Sequence, residues 1–119
     1  MKKALLGLMV GLSVANADLL SISVEAPTQM TWSEAKRFCA TVDNLSSFTV
    51  PTSKFMESLS AKDKALLKTN SRYWLDEIGD YNEAKAYGAY PNFGGIEVIP
   101  MSRDKKLNVI CVRKSEVAK

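Results

Sequence analysis

The sequence contains no histidine and only two cysteines among its 119 residues. Without histidine, neither a serine triad nor a histidine general base is available. If the two cysteines form a disulfide, no thiol remains as a nucleophile or metal ligand. Glu77 and Asp80 could act together on glycosides, but two carboxylates on one turn rarely have the opposed geometry that this reaction requires. We therefore expect a protein that is not an enzyme.

Long apolar runs are also missing outside the first 17 residues. Residues 1–17 begin with two lysines after the first methionine, continue with an apolar run and end on Ala15-Asn16-Ala17. This order is typical of a secretory signal peptide with a small-x-small cleavage site. The apolar run is too short for a membrane-spanning helix, which needs about 20 residues. We expect cleavage before Asp18, a single domain over residues 18–119, and a periplasmic or secreted location.

Charge of one sign is not in large excess. The net charge of +3 falls to +1 when Lys2 and Lys3 are removed with the signal segment. The composition therefore does not indicate the strongly basic surface that attracts nucleic acid. We expect no nucleic-acid partner and no integral membrane segment after signal cleavage.

The two cysteines, Cys39 and Cys111, lie 72 residues apart, the second in an apolar run near the end of the sequence. In an exported chain, two cysteines form a disulfide more often than a metal site or a redox pair. The alternative is two separately buried thiols. A Cys39–Cys111 bridge would constrain the unfolded chain by about 4 kcal/mol in the loop-entropy description, a large share of the stability of a small domain.

Three helical segments are predicted in the first half of the sequence. Thr31 and Glu34 have the spacing of a capping box, in which each side chain binds the backbone N–H at the other's position. The residues that follow, up to residue 42, place Cys39 on the apolar side of a helix, so we expect it to face the core. Thr52 and Ser60 are the expected N-caps of two shorter helical segments.

Strands are predicted before the first helix and throughout the second half of the sequence. Apolar residues alternate with serines over residues 18–25, which is the pattern of a half-buried strand. Further extended segments are expected at residues 48–50, 73–75, 84–90, 96–99 and 107–113, with turns at 79–82 and 102–106 and a frayed tail at 115–119. The segment 107–113 has apolar residues on both sides, as a central strand does.

Four short motifs follow one another along the chain: M-T-W-S-E-A-K-R-F-C (30–39), V-P-T-S-K-F-M-E-S-L (50–59), R-Y-W-L-D-E (72–77) and N-V-I-C-V-R (108–113). The first resembles the W-x-x-A-x-x-x-C helix of the small bacterial C-type-lectin-like domains, and the second their L-P-T segment and following helix. The third is similar to their Y-W-S-S-T-E strand, and the fourth to their closing V-R-C-V-R. This family includes the C-terminal domain of a Legionella collagen-like adhesin.

The resemblance implies an α+β, C-type-lectin-like fold with two short helices packed on a small, mostly antiparallel sheet, and one disulfide joining the first helix to the last strand. It also implies non-enzymatic binding of glycans or proteins, as in adhesion. Relatives in the wider superfamily bind sugars through calcium held by Glu-Pro-Asn and a later Trp-Asn-Asp. Here Tyr90-Pro91-Asn92 lacks the glutamate, and no Trp-Asn-Asp precedes Leu107. Because calcium takes about six or more oxygen ligands, we expect calcium-independent binding with no metal and no cofactor.

The stretch from Tyr81 to Phe93 is rich in aromatic residues and is the expected ligand-binding region. Aromatic faces stack on sugar rings and anchor protein interfaces, and the glycines in this stretch let a ligand approach the backbone. The candidate binding residues are Tyr81, Asn82, Tyr87, Tyr90, Asn92 and Phe93. The alternative, in particular for Tyr87 and Phe93, is a place in the core.

Two functions from different classes fit these observations. The first is an exported binding module for a glycan or a protein surface. The second is a structural or assembly subunit of the bacterial cell envelope, which would pair through its termini or through an exposed strand such as Ile96–Ile99. A stable oligomer would favour assembly, whereas a monomer retained on a glycan surface would favour the binding module.

Overall fold

The computed structural model describes residues 19–89 and 97–118. The helices are α1 (Leu19–Ile22), α2 (Trp32–Ala40), α3 (Ser53–Glu57), α4 (Ala61–Lys64) and α5 (Lys114–Val117). The strands are β1 (Ser23–Glu25), β2 (Phe48–Thr49), β3 (Ser71–Ile78), β4 (Glu83–Ala89), β5 (Glu97–Ser102) and β6 (Ile110–Arg113). The expected signal segment and three candidate binding residues, Tyr90, Asn92 and Phe93, lie outside the described residues. No helix within the described ranges is long and apolar enough to cross a membrane.

The strands form two antiparallel sheets of three strands, in the orders β1-β6-β2 and β3-β4-β5, in place of the single sheet that was expected. The reason lies in β6, which is paired on one side with β1 and on the other with β2, so only the residues before it can reach β3. Asn108 makes this connection. Its carbonyl accepts from Trp74 N–H and its own N–H donates to the Arg72 carbonyl, both at 3.1 Å.

The core consists of two groups of buried side chains, and β6 contributes to both. Val112 packs in the group that contains Tyr87, together with the apolar residues of α1 and α3. Cys111, the preceding residue, packs in the group that contains Trp74, beside α2. The prediction of a central strand with apolar residues on both sides is therefore confirmed for the last strand.

A disulfide joins α2 to β6. Cys39 and Cys111 are both fully buried, and their Cα atoms are 5.3 Å apart, a usual separation for a bridged pair. The pairing expected from the sequence is therefore confirmed. The bridge ties the helix expected over residues 31–42 to the last strand, and α1 is an additional helical turn before it.

The predicted helix starts are confirmed. In the capping box of α2, the Thr31 N–H donates to Glu34 Oε1 at 3.0 Å, and the Thr31 hydroxyl oxygen accepts from the Glu34 N–H at 3.4 Å. Thr52 and Ser60 cap α3 and α4, each accepting from the N–H three residues later, at 3.2 and 3.1 Å. These contacts satisfy backbone donors that the first turn of a helix leaves free.

Both ends of the described chain depart from the prediction. The strand expected over residues 18–25 is limited to β1, because the residues before it form the helical turn α1. Leu19 and Ile22 are both buried, and a spacing of three puts two side chains on one side of a helix but on opposite faces of a strand. At the other end, the expected frayed tail contains α5, whose Val117 packs against the core.

Candidate ligand-binding surface

Tyr81 lies at the apex of the turn that joins β3 to β4. Two backbone hydrogen bonds of 2.9 Å close this turn, from Gly79 N–H to the Glu83 carbonyl and from Glu83 N–H to the Asp80 carbonyl. A Cβ atom at residue 79 would lie 3.0 Å from Glu83 Cβ, so a side chain there would be crowded against Glu83. The Tyr81 side chain is 101% exposed relative to its reference state, so both faces of its ring are open to a ligand.

The backbone of Tyr81 has a φ of 49°, in the left-handed region. Glycine and asparagine adopt this region readily, whereas a residue as large as tyrosine does so at a cost of about 1–3 kcal/mol. Asn82 would tolerate the conformation better, yet it occupies the next position of the turn. Ser46 and Asn70 also have a positive φ at exposed positions, so the distinctive feature of Tyr81 is the large aromatic ring that its turn presents to solvent.

The turn is fixed to a second turn at residues 103–105. The Asn82 carbonyl accepts from Arg103 N–H at 3.0 Å, and the Asn82 amide Nδ2 donates to Asp104 Oδ2 at 3.4 Å. On the same side of the apex, Arg103 Nε donates to the Glu83 carbonyl at 3.1 Å. The two residues that directly follow Tyr81 are therefore anchored, which reduces the entropy that would be lost on binding.

Trp32, the first residue of α2, contacts Arg103 and so supports the Tyr81 turn. Its Nε1 donates to the Leu75 carbonyl at 2.9 Å, and its ring centroid lies 4.6 Å from the Arg103 guanidinium carbon and 4.9 Å from Lys36 Nζ. Cations over an aromatic face gain about 0.5–1 kcal/mol each at exposed sites. Lys36 also forms a 2.8 Å ion pair with Asp76. Trp32 thus fixes the position of Arg103, and Arg103 in turn holds the Tyr81 turn.

The other sequence-predicted residues have three different outcomes. Asn82 is exposed beside Tyr81, so these two candidates lie together. Tyr87 is buried at 1% exposure, opposite Tyr73 on β3 and Val98 on β5, so its ring faces are covered by the core. Tyr87 therefore occupies a core position, which was the alternative to a binding role in the sequence analysis. Tyr90, Asn92 and Phe93 lie outside the described residues.

The acidic residues around this turn are held in separate contacts. Asp76 pairs with Lys36, while Glu77 Oε2 accepts from the Ser53 N–H at 3.1 Å and from the Ser53 hydroxyl at 2.9 Å, at the start of α3. Glu77 therefore serves as an anchor between β3 and α3. Among residues 19–89 and 97–118, no three histidine, cysteine, aspartate or glutamate side chains are grouped so that they could hold a metal ion.

Neither Arg103 nor Trp32 was predicted from the sequence as a support of the Tyr81 turn. Arg103 belongs to a stretch that reads only as a charged turn, and Trp32 reads as part of the apolar side of a helix. The two residues are 71 positions apart, and no spacing rule relates them. Only the folded chain, in which Trp32 N–H donates to the Arg103 carbonyl at 3.3 Å, brings them together.

The four motifs that resemble the bacterial C-type-lectin-like domains lie in successive parts of the fold. The W-x-x-A-x-x-x-C motif forms α2, the P-T motif starts α3, the Y-W motif lies in β3, and the closing motif runs into β6. Comparison with protein-family models and with curated proteins gives no match to the chain. The resemblance therefore depends on these motifs, their order and the cysteine pair.

Proposed function

We propose that the protein is an exported, non-enzymatic binding module with a C-type-lectin-like fold, and that it engages a glycan or a protein surface without calcium. The observation that carries this proposal is Tyr81, a fully exposed aromatic residue held in the left-handed backbone region at the apex of an anchored turn. Asn82 beside it adds an amide that can hydrogen-bond to the same ligand. Tyr87 is no longer part of the proposed surface.

The chemistry of this surface suits a sugar ring or a protein side chain. An exposed tyrosine offers a large apolar face at a small entropic cost, with a hydroxyl at its edge. Ile78, at the end of β3, is 68% exposed and adds apolar area close to the turn in sequence. Because the turn is anchored through Asn82 and Glu83, its shape does not have to be organised by the ligand.

The test compares Tyr81→Asn with the parent protein on an array of neutral and acidic oligosaccharides and on immobilised envelope proteins. Asparagine accepts the left-handed backbone, so the turn should be kept while the ring is lost. We expect at least about a tenfold loss of binding, as for the loss of one anchor residue worth about 1.4 kcal/mol or more, with no loss of thermal stability.

The matched control is Leu45→Ala, which removes another exposed apolar side chain from the distant loop after α2. It should bind like the parent protein. Undiminished binding by Tyr81→Asn would remove Tyr81 from the site and, with it, the observation on which the proposal depends. Binding that disappears when calcium is removed would contradict the proposal that the ligand is bound without calcium.

A structural or assembly subunit of the cell envelope is the second candidate, favoured by one observation. In the described part of the chain, β5 is the outer strand of its sheet and pairs with β4 alone. Outer strands can pair with a further chain. Pro100, in the middle of β5, has no N–H to offer to such a partner, which opposes this mode. Light scattering after size exclusion separates the candidates, since assembly through β5 requires an oligomer.

A further inference from the structure

A shallow depression of about 380 Å³ lies along α2, and the residues that line it do not include Tyr81 or Asn82. Its wall on the α2 side is formed by residues spaced three and four apart, so that they share one face of the helix. Its other wall comes from the segment before the helix and from the turn before β6. The lining residues used in the argument are Glu34, Arg37, Phe38, Met30 and Lys106.

The two walls are held at a fixed distance by backbone pairing. Met30 and Leu107 each donate their N–H to the other's carbonyl at 2.9 Å, which places Lys106 beside Met30 and opposite α2. The capping box fixes the start of α2, because the Thr31 N–H donates to Glu34 Oε1. The depression is therefore formed by backbone elements with little freedom to move apart.

The depression combines charges of both signs. Arg37 and Lys106 provide two cations, and neither forms an ion pair with any residue in the described part of the chain. Glu34 provides one carboxylate. The hydrogen bond from the Thr31 backbone lowers the pKa of Glu34, followed by the bond with the Thr31 hydroxyl and the charges of Lys106 and Arg37. Glu34 is therefore ionised at neutral pH, with one oxygen already committed to Thr31.

An apolar floor completes the depression. Met30 and Phe38 are half-buried and pack against the core group around Trp74, so each keeps part of its side chain at the surface. A ligand that carried only negative charge would meet the Glu34 carboxylate, and a ligand that carried only positive charge would meet two cations. A molecule with both charges and an apolar part matches all three features.

We infer that this depression binds a free α-amino acid with an apolar side chain. Its carboxylate would lie against Arg37 and Lys106, its ammonium against Glu34, and its side chain on Met30 and Phe38. Charge-assisted hydrogen bonds to the carboxylate supply the larger part of the affinity, because they are stronger than those between neutral groups. This site is separate from Tyr81 and does not depend on the proposed function.

The test uses amide chemical shifts of the ¹⁵N-labelled protein during titration with L-leucine. Leucine should shift the signals of residues 34–38 and of Lys106. Leucinamide lacks the carboxylate and N-acetyl-leucine lacks the ammonium, so each should bind at least about tenfold more weakly, as expected for the loss of about 1.4 kcal/mol or more in a charge-assisted contact. Equal binding of N-acetyl-leucine, or no shift with leucine up to its solubility, would overturn the inference.

Charge-removing variants locate the site. Arg37→Gln and Glu34→Gln should each weaken leucine binding by about tenfold. Glutamine is accepted in the capping box, so Glu34→Gln should keep its melting temperature. Lys54→Gln on α3 is the matched control and should bind like the parent protein. Tyr81→Asn should also bind leucine normally, so a failure of the Tyr81 proposal and a failure of this one give different results. Unchanged leucine binding by Arg37→Gln would overturn the assignment.

Discussion

Tyr81 is the residue on which the proposed binding surface depends. Its backbone adopts a conformation that is costly for a large side chain, and its ring makes no compensating burial in the fold. In a core residue, such strain is offset by packing; here nothing in the surroundings of the exposed ring offsets it. The strain therefore leads to a measurable consequence for stability.

We predict that Tyr81→Asn raises the free energy of unfolding by about 1 kcal/mol, because asparagine adopts the left-handed region more easily and the exposed ring contributes no packing. Equilibrium denaturation in urea measures the change. Tyr81→Ala serves as the control, since alanine also has a Cβ atom and keeps most of the strain. A less stable Tyr81→Asn variant would show that the ring has a structural contact.

Tyr87 illustrates the opposite case, an aromatic residue of the predicted binding stretch that the fold has buried. Burial raises the pKa of the Tyr87 hydroxyl above its usual 10.0, and the nearby Glu57 carboxylate adds to the effect. The unfolded chain therefore loses this proton at a lower pH than the folded chain. The contribution of the Tyr87 hydroxyl to the free energy of unfolding is therefore complete below about pH 10, and it is lost as the pH rises through the raised pKa.

We predict that the free energy of unfolding of the parent protein falls above about pH 10. The free energy of unfolding of Tyr87→Phe should fall less steeply, because the ionisable hydroxyl is absent. Urea denaturation at several pH values between about 8 and 11 measures both slopes. Tyr81→Phe is the control for the removal of a tyrosine hydroxyl, since that ring is exposed. Identical slopes for the parent and Tyr87→Phe would contradict a buried Tyr87.

At the scale of single elements, α2 is the helix on which both proposed surfaces depend. It has nine residues, too few to be stable in isolation, because short helices lose too much entropy for the hydrogen bonds they form. Its capping box, the disulfide and the Trp32 contacts therefore supply its stability. The capping box is the part that a single conservative substitution can test.

We predict that Thr31→Ala lowers the free energy of unfolding by about 1 kcal/mol, because the Glu34 N–H loses its acceptor. Glu34→Gln should change it much less, since the amide oxygen can still accept from the Thr31 N–H. Thermal or urea denaturation of both variants gives the comparison. If the two variants were equally stable, the reciprocal box would not be what holds the start of α2.

The elements that the sequence predicted well are those whose signals are local. Thr31, Thr52 and Ser60 act as caps through residues only three positions away, so the spacing alone contained the answer. The alternation before Glu25 was misleading, because Leu19 and Ile22 also have helical spacing and the tertiary core decided between the two periods. Tyr81 and Asn82 were predicted as site residues from their type, whereas the support from Arg103 required a contact that no local pattern encodes.

At the scale of the whole molecule, β6 contributes to both groups of core side chains, and the residues just before it connect the two sheets. Asn108 bridges to β3, and Met30 pairs with Leu107, while the disulfide ties α2 directly to β6. The Tyr81 turn is held by Arg103, which lies over the Trp32 ring of α2, and the depression is lined by α2 and Lys106. Both proposed surfaces therefore depend on the helix that the disulfide ties to β6. The bridge should therefore affect the arrangement of these surfaces as well as global stability.

We predict that reduction of the Cys39–Cys111 bridge lowers the free energy of unfolding by about 4 kcal/mol, since it releases a loop of 72 residues in the unfolded chain. Denaturation with and without reductant measures the loss. The double variant Cys39→Ala/Cys111→Ala is the control: it should resemble the reduced protein and show no response to reductant. If the parent protein kept its denaturation midpoint on complete reduction, packing alone would hold α2 against β6. The leucine-dependent shifts and the binding of Tyr81 ligands should then also survive reduction.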